Sequence, residues 1–148
     1  MKRFFIWMLA FTMPLTFISC EQGNNPSQSN NDVGEEMIVQ LGILNCVGDQ
    51  TYPIYYLLFT DSYMINGTDA DYYKFVDFGP VNKLSQIDYI PDGWREDRID
   101  ISVGHGYIVQ RVECPNTFLR LYIKEFIDKG GVQGYRIVYQ KGWNPLNN

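Results

Sequence analysis

The chain has 148 residues, with 17 acidic side chains against 12 basic ones and a formal net charge of −5 at pH 7. Because an acidic chain is repelled by the phosphates of nucleic acids and by anionic lipid, this composition excludes DNA or RNA binding as a main role. The length and the 45% of hydrophobic residues are typical of one modest folded domain.

The first 19 residues have the parts of a secretory signal peptide. Lys2 and Arg3 supply positive charge, and residues 4–18 form an apolar run of 15 residues. Since crossing ~30 Å of hydrocarbon takes about 20 helical residues, this run is too short for a comfortable membrane span. Ser19 is the small residue that precedes a cleavage site, so the sequence predicts a signal peptide over residues 1–19.

Cys20 follows the predicted cleavage position directly. The stretch Phe17-Ile18-Ser19-Cys20 resembles the bacterial lipobox, whose cysteine receives a diacylglycerol before cleavage, although Phe17 replaces the usual leucine. Two or three acyl chains, at ~0.8 kcal/mol per buried methylene, would hold the chain on a membrane. An uncleaved anchor and a simple secretory peptide are the alternatives. The mature lipoprotein would have a net charge of −7, because two of the 12 basic residues leave with the leader.

Residues 20–36 are predicted to tether the rest of the chain to this anchor. They contain mostly Asn, Gln, Ser, Gly and Pro, and Val33 is their only branched apolar side chain. Such a segment cannot offset its ordering entropy by burial, so we expect it to be disordered. A folded domain at residues 37–148 would then stand clear of an outer membrane, on a periplasmic or surface face that the sequence leaves open.

Residues 37–148 alternate apolar and polar side chains more often than they repeat with a helical period. The pattern predicts strands that include the runs 37–43, 52–59, 72–78 and 99–103. The inward-facing side chains of the first and last runs would be Met37, Val39, Leu41, Ile43, Ile99, Ile101 and Val103. Glycine-containing turn signals separate these runs, so the sequence favours an all-β antiparallel sandwich or barrel-like domain.

Residues 118–127 fit either a helical face or an alternating strand. We favour the strand, because Gly130-Gly131 would join it through a hairpin to a second alternating run over residues 132–140. Its inward-facing side chains would be Leu119, Leu121, Ile123 and Ile127. The periodicity also allows one short helix near residues 83–89, packed through apolar side chains.

Two cysteines, Cys46 and Cys114, remain once Cys20 is assigned to the anchor. An even pair in an exported domain is compatible with one disulfide, and two buried free thiols explain the pattern nearly as well. A zinc site needs three or four ligands at recognisable spacing, and the chain has one histidine, so we expect no metal centre and no cofactor.

That histidine, His105, lies between Gly104 and Gly106. A general base needs an orienting partner and a nucleophile within hydrogen-bond reach, and no motif supplies either. We therefore interpret Gly-His-Gly as a three-residue hairpin loop rather than as a catalytic element.

Aromatic side chains are abundant, and exposed rings are the surfaces on which sugars stack. Trp94, Trp143, Tyr89 and Tyr107 are the candidates for ligand binding, with both tryptophans expected at the sheet margins. Core filling is the favoured interpretation, because a small sandwich needs large rings to bury enough area.

Two clusters of carboxylates suggest two further kinds of site. Glu96, Asp97 and Asp100 lie close in sequence, but glycoside hydrolysis needs two carboxyl groups facing each other across a cleft at ~5 to 9.5 Å. The acidic run over residues 66–71 does not have the spacing of the helix-flanked calcium loop. Both clusters are interpreted as solvated turns.

Four stretches in the second half are KLSQIDYIPDGW, SVGHGYIVQR, FLRLYIKEFI and GYRIVYQ. Over about residues 81–143 the chain resembles a family of small, uncharacterised lipoproteins from Bacteroidetes. The resemblance implies an all-β exported domain and no particular activity.

Together these features predict a lipid-anchored protein of the cell envelope, bound to the outer membrane through its lipid. We expect a non-enzymatic binding or accessory module whose partner is a glycan or another envelope protein, with no nucleic acid. A small hydrolase using Glu96, Asp100 or His105, and a structural subunit of an envelope complex, are the alternatives.

Overall fold

The computed structural model describes residues 34–68 and 72–147. The predicted signal peptide, the lipobox with Cys20 and most of the tether lie outside these residues. Nine strands form the described part: β1 (Glu35–Gln40), β2 (Leu44–Val47), β3 (Tyr55–Phe59), β4 (Tyr63–Asn66), β5 (Tyr73–Pro80), β6 (Arg98–Asp100), β7 (His105–Arg111), β8 (Phe118–Lys129) and β9 (Val132–Trp143). Two single turns of 3-10 helix span Leu84–Gln86 and Pro145–Asn147.

The strands form two antiparallel sheets. The five-stranded sheet has the order β1-β9-β8-β7-β5, and the four-stranded sheet has the order β2-β3-β4-β6. Their inward side chains share one core, and neither sheet closes on itself. The predicted all-β antiparallel sandwich is confirmed, and the barrel-like alternative is not the structure adopted.

The first strand begins at Glu35, two residues before the predicted start of the folded domain. Glu35 and Glu36 were both predicted to belong to the tether. In the structure both residues pair with β9, and each has a cationic or hydroxyl partner. Glu36 binds Lys124 at 2.9 Å and Arg136 at 2.7 Å, while Glu35 accepts a hydrogen bond from the Tyr139 hydroxyl. These contacts lower the pKa of Glu36, the hydrogen bond from Lys124 being the main cause.

Residues 118–127 are part of strand β8, so the strand interpretation is confirmed and the helical one is wrong. Gly130 and Gly131, at φ +64° and +80°, form the turn into β9. Leu119, Leu121 and Ile123 point into the core, but a shift in register after Ile123 leaves Ile127 only half-buried.

The main core lies between the two sheets and is unusually rich in tyrosine. Tyr55, Tyr73, Tyr107, Tyr135 and Tyr139 are all buried there. Burial raises the pKa of Tyr55 and of Tyr107. Their hydroxyls reach the backbone: Tyr55 donates to the Thr117 carbonyl at 3.3 Å and Tyr107 accepts from the Ser102 amide at 2.8 Å. The core-filling interpretation of the aromatic residues is therefore confirmed for these positions.

A second core covers the outer face of the five-stranded sheet. Residues 81–95, including the Leu84–Gln86 turn, lie across this face and bury Val81, Leu84 and Ile87. Arg120 fixes the segment, because its guanidinium donates to the Ile87 carbonyl at 2.5 Å. The predicted short helix near residues 83–89 is thus one 3-10 turn that packs against the sheet.

Two local predictions are wrong. Gly104-His105-Gly106 is not a hairpin loop, because His105 and Gly106 already belong to β7 while β6 lies in the other sheet. The turn instead connects the two sheets, and the backbone amide of His105 donates to the Ser102 carbonyl at 3.2 Å. Two side chains expected in the core, Ile43 and Val103, are about half exposed, because each lies beyond the end of its strand.

Candidate functional site

An open groove of about 810 Å³ lies at one side of the sandwich, where an edge of each sheet is exposed. Strand β5 ends the five-stranded sheet and β6 ends the four-stranded sheet at this side. The groove is lined by Val76 and Asp77 of β5, by residues 92–93 and 95–97, and by Arg98, Ile99 and Asp100 of β6.

The segment before β6 forms the wall between the two sheets. Arg95 makes a short antiparallel bridge to Phe75 of β5, with N···O distances of 2.7 and 2.8 Å. A few residues later the chain pairs with β4 through Ile99, whose side chain enters the main core. Since both ends of the segment are fixed, its polar side chains are held over the gap between the sheets.

The groove has a marked negative charge. Its charged residues are Asp77, Asp92, Arg95, Glu96, Asp97, Arg98 and Asp100, which are five carboxylates against two guanidinium groups, a formal charge of −3. All seven are exposed, and Lys74 lies 3.3 Å from Glu96 at the margin. The site therefore offers a cationic ligand several solvated carboxylates and little apolar surface.

His105 has the orienting partner that the sequence did not reveal. Its Nδ1 lies 3.2 Å from both carboxylate oxygens of Asp77, a residue that lines the groove. Asp77 is 28 residues earlier, at a β-bulge where its Oδ1 also accepts the Gly79 amide at 2.7 Å. The Asp77-Phe78-Gly79 sequence is a signal for such a bulge, but not for its pairing with His105.

This pair has some of the geometry of a general base. With Nδ1–H donating to Asp77, the other ring nitrogen of His105 could accept a proton. The His105 ring also stacks on Tyr107, with centroids 6.3 Å apart. Within the described residues the ring bonds only to Asp77, so the structure gives this pair no hydroxyl or thiol nucleophile.

Glu96, Asp97 and Asp100 were interpreted as the acids of a solvated turn, and the structure places all three along the groove. Each is exposed, and the side chain of Glu96 is 75% exposed. A general acid in glycoside hydrolysis usually lies in apolar surroundings that favour its protonated form, and these carboxylates do not. No group of three or more potential metal ligands occurs within residues 34–68 and 72–147.

The four candidate aromatic residues do not form one surface. Tyr107 is fully buried in the main core, and Trp143 is 2% exposed in the second core, on the opposite face of the same sheet. Tyr89 is 56% exposed and packs on Phe78. Trp94 is half-buried, stacks on Phe118 and lies between groove residues Gly93 and Arg95. Neither Tyr107 nor Trp143 can stack on a ligand in this structure, which corrects that prediction.

The cysteine pairing is also corrected. Cys46 is a free thiol, so it is not bonded to Cys114. Cys114 is disulfide-bonded and buried, with its sulfur 3.2 Å from the Tyr52 hydroxyl oxygen. Residues 69–71, which hold most of the acidic run considered for calcium, lie outside the described part of the chain.

The fold and the groove define an antiparallel β-sandwich with a polar, acidic opening between its two sheet edges. Searches against protein families, curated proteins and solved structures found no match to this chain. Over residues 34–68 and 72–147, the structure has no helix of the length and apolar character needed to cross a membrane.

Proposed function

We propose that this protein is a lipid-anchored, non-enzymatic accessory module of the cell envelope whose acidic groove binds a Lys- or Arg-rich segment of another envelope protein. The observation that carries this proposal is the groove itself, with five exposed carboxylates against two guanidinium groups. Solvated carboxylates attract a cationic partner and steer its approach without needing a deep pocket.

A protein partner is favoured over a glycan for a physical reason. Glycan sites usually combine polar groups with an exposed aromatic face, and two of the four candidate rings are buried. Trp94 alone lies beside the groove, and one of its faces packs on Phe118. Glycan binding is therefore the alternative result of the binding test described below.

The envelope location depends on the N-terminal sequence and on the resemblance to small Bacteroidetes lipoproteins. Attachment through acyl chains at Cys20 would keep the domain at the outer membrane, with residues 21–34 as a spacer. The chain has three cysteines and Cys46 is a free thiol, so acylation of Cys20 and a disulfide at Cys114 exclude each other.

Mass spectrometry of the protein from native membranes tests this anchor. We expect the first residue to be Cys20, with the mass of a diacylglyceryl group and no disulfide to Cys114. The Cys20→Ser chain serves as the matched control, and it should retain residues 1–19 and lack lipid. An unmodified thiol or a disulfide at Cys20 would contradict the proposed anchor.

The groove is tested by titrating the full chain, in non-ionic detergent, with an oligolysine peptide. Neutralising two carboxylates in the Asp92→Asn/Asp97→Asn variant should weaken binding about fivefold, because each exposed charge contributes up to about 1 kcal/mol. Raising the salt concentration from 20 to 200 mM should also weaken the binding of oligolysine to the wild-type chain. Calorimetry measures both effects.

The matched control is Asp61→Asn/Asp128→Asn, which removes the same charge from exposed residues outside the groove. It should bind oligolysine nearly as well as wild type. Equal losses in both variants would show attraction to the whole acidic protein and would contradict a groove site. Binding of neutral oligosaccharides, with no response to oligolysine, would identify a glycan site instead.

A small hydrolase is the second candidate, because Asp77 and His105 form an oriented pair beside the groove. A panel of chromogenic esters and glycosides distinguishes it from the first. Turnover that is lost in both the His105→Ala and Asp77→Asn variants would replace the binding proposal with an enzymatic one. A structural subunit, the third alternative, would show itself by co-purifying in a stable envelope complex.

A further inference from the structure

The two outer faces of the sandwich differ. Residues 81–95 cover the outer face of the five-stranded sheet and form the second core there. The buried clusters of the described residues include no such cover on the outer face of the four-stranded sheet. This face is formed by Leu44, Cys46, Tyr56, Leu58, Tyr63 and Ile65, with Arg98 and Asp100 on the edge strand β6.

The apolar residues of this face are adjacent in space. The registers align Leu44 with Leu58, and Leu58 with Ile65, so three large aliphatic side chains form a row across β2, β3 and β4. Leu44 is 47% exposed, and Leu58 and Ile65 are half-buried. Single exposed leucines are common, but a continuous apolar row on neighbouring strands is typical of a contact surface.

The two charges on the face are opposite in sign and two residues apart. Arg98 aligns with Ile65, Asp100 aligns with Tyr63, and the Arg98 guanidinium lies 5.0 Å from the centre of the Tyr63 ring. Neither Arg98 nor Asp100 is in an ion pair with another described residue. The face is therefore neutral on a chain of net charge −5. Arg98 and Asp100 also line the acidic groove, so the neutral face borders it, and two like-charged copies meet less repulsion at this face than they would at the groove.

We infer that this face binds a second copy of the same chain in a two-fold symmetric dimer. A two-fold axis in the plane of the interface, crossing the strands at the level of Ile99, would place each strand antiparallel over its own copy. The apolar row is level with Arg98, so this axis would place Ile65 over the partner's Tyr63 rather than over the partner's own apolar row. Arg98 would face the partner's Asp100, and Asp100 would face the partner's Arg98. A symmetric interface requires such reciprocal contacts, and this pair supplies them.

The small area of this face limits the strength of the dimer. Four strands ~4.8 Å apart, with about four residues each at ~3.3 Å per residue, give a face of about 19 by 13 Å. This area is well below the ~800 Å² per partner of a standard stable interface. The dimer is therefore expected to be weak and reversible in solution. Confinement of both copies to one membrane would raise its population.

Sedimentation of the full chain in an excess of non-ionic detergent micelles tests the inference, with no ligand present. Wild type should associate as the protein concentration rises. The Leu58→Lys variant should remain monomeric, because it places a charge at the centre of the apolar row. The Arg98→Asp and Asp100→Arg variants should each associate at least about tenfold more weakly, because each brings like charges together.

Mixing the Arg98→Asp chain with the Asp100→Arg chain should restore association to within about threefold of wild type. In the mixed dimer, two carboxylates on one chain face two guanidinium groups on the other. A melting curve for each variant confirms that it is folded. A monomeric wild type, a Leu58→Lys chain that still dimerises, or a mixture that fails to associate would each overturn the inference. Because Arg98 and Asp100 also line the groove, oligolysine binding is measured on wild type and on the Leu58→Lys chain, whose substitution lies outside the groove, so either proposal can fail without the other.

Discussion

Replacing Trp143 with alanine is expected to destabilise the protein by about 3–5 kcal/mol, the usual cost of removing a large buried ring. Trp143 is 2% exposed, and it packs edge-on against Phe118 with ring centroids 6.2 Å apart. The Arg120 guanidinium lies 5.0 Å from the centre of the Trp143 ring. Loss of the Trp143 ring would leave a cavity beneath residues 81–95. Urea unfolding followed by circular dichroism measures the change in the free energy of unfolding.

Two further variants separate the structural role of this ring from ligand binding. The Trp143 indole Nε1 has no hydrogen-bond partner in the described part of the chain, so Trp143→Phe keeps most of the packing and should cost markedly less. Tyr89→Ala removes a ring that is 56% exposed, and it should change stability by less than about 1 kcal/mol. Equal effects of the Trp143 and Tyr89 alanine variants would contradict the second core.

The position of Trp143 shows what sequence alternation could and could not predict. Tyr135, Ile137 and Tyr139 face the main core, as the pattern in β9 indicates. Continuing that alternation would place Trp143 on the same face. Instead, the register shifts between Phe118 and Leu119, and Trp143 enters the second core. A one-residue shift sends every later side chain to the opposite face.

The glycine that accompanies this shift is visible in the sequence, but its conformation is not. Gly142 has a φ of +75°, and it separates Lys141, paired with Leu119, from Trp143, paired with Phe118. A lone glycine in a strand pattern suggests a bulge without fixing its position or direction. Strand existence was therefore predictable from local pattern, whereas the burial of Trp143 depends on the partner strand.

The groove illustrates the same limit at longer range. Glu96, Asp97 and Asp100 are close in sequence, so the sequence alone places them in one region. Asp77 comes from a strand of the other sheet, and only the order of strands brings it to the same opening. Residues of the two sheets meet at this opening because their strands are the edge strands. A single sequence does not specify which strands become edges. The sequence therefore did not predict the acidic groove as a site.

Replacing Gly134 with alanine is expected to destabilise the protein by about 3 kcal/mol, at the upper end of the cost of overpacking. Gly134 pairs with Gln40 where β1 meets β9. A Cβ at Gly134 would clash with the Val39 carbonyl oxygen, which belongs to the backbone and cannot rotate away. To relieve this clash, β1 would have to move away from the sheet. That movement would also disturb the point where the predicted tether meets the domain.

The matched comparison is Gly106→Ala, because Gly106 also lies in a strand and has no positive φ. Its added Cβ would meet the Ile87 Cδ1 at 2.6 Å, the free end of a side chain that can adjust. We therefore expect Gly106→Ala to cost less than Gly134→Ala in urea unfolding. Hydrogen exchange distinguishes the sites further, since amides of β1 should lose protection only in the Gly134 variant. If β1 stays protected and stability is unchanged, the close approach of Gly134 to β1 is wrong.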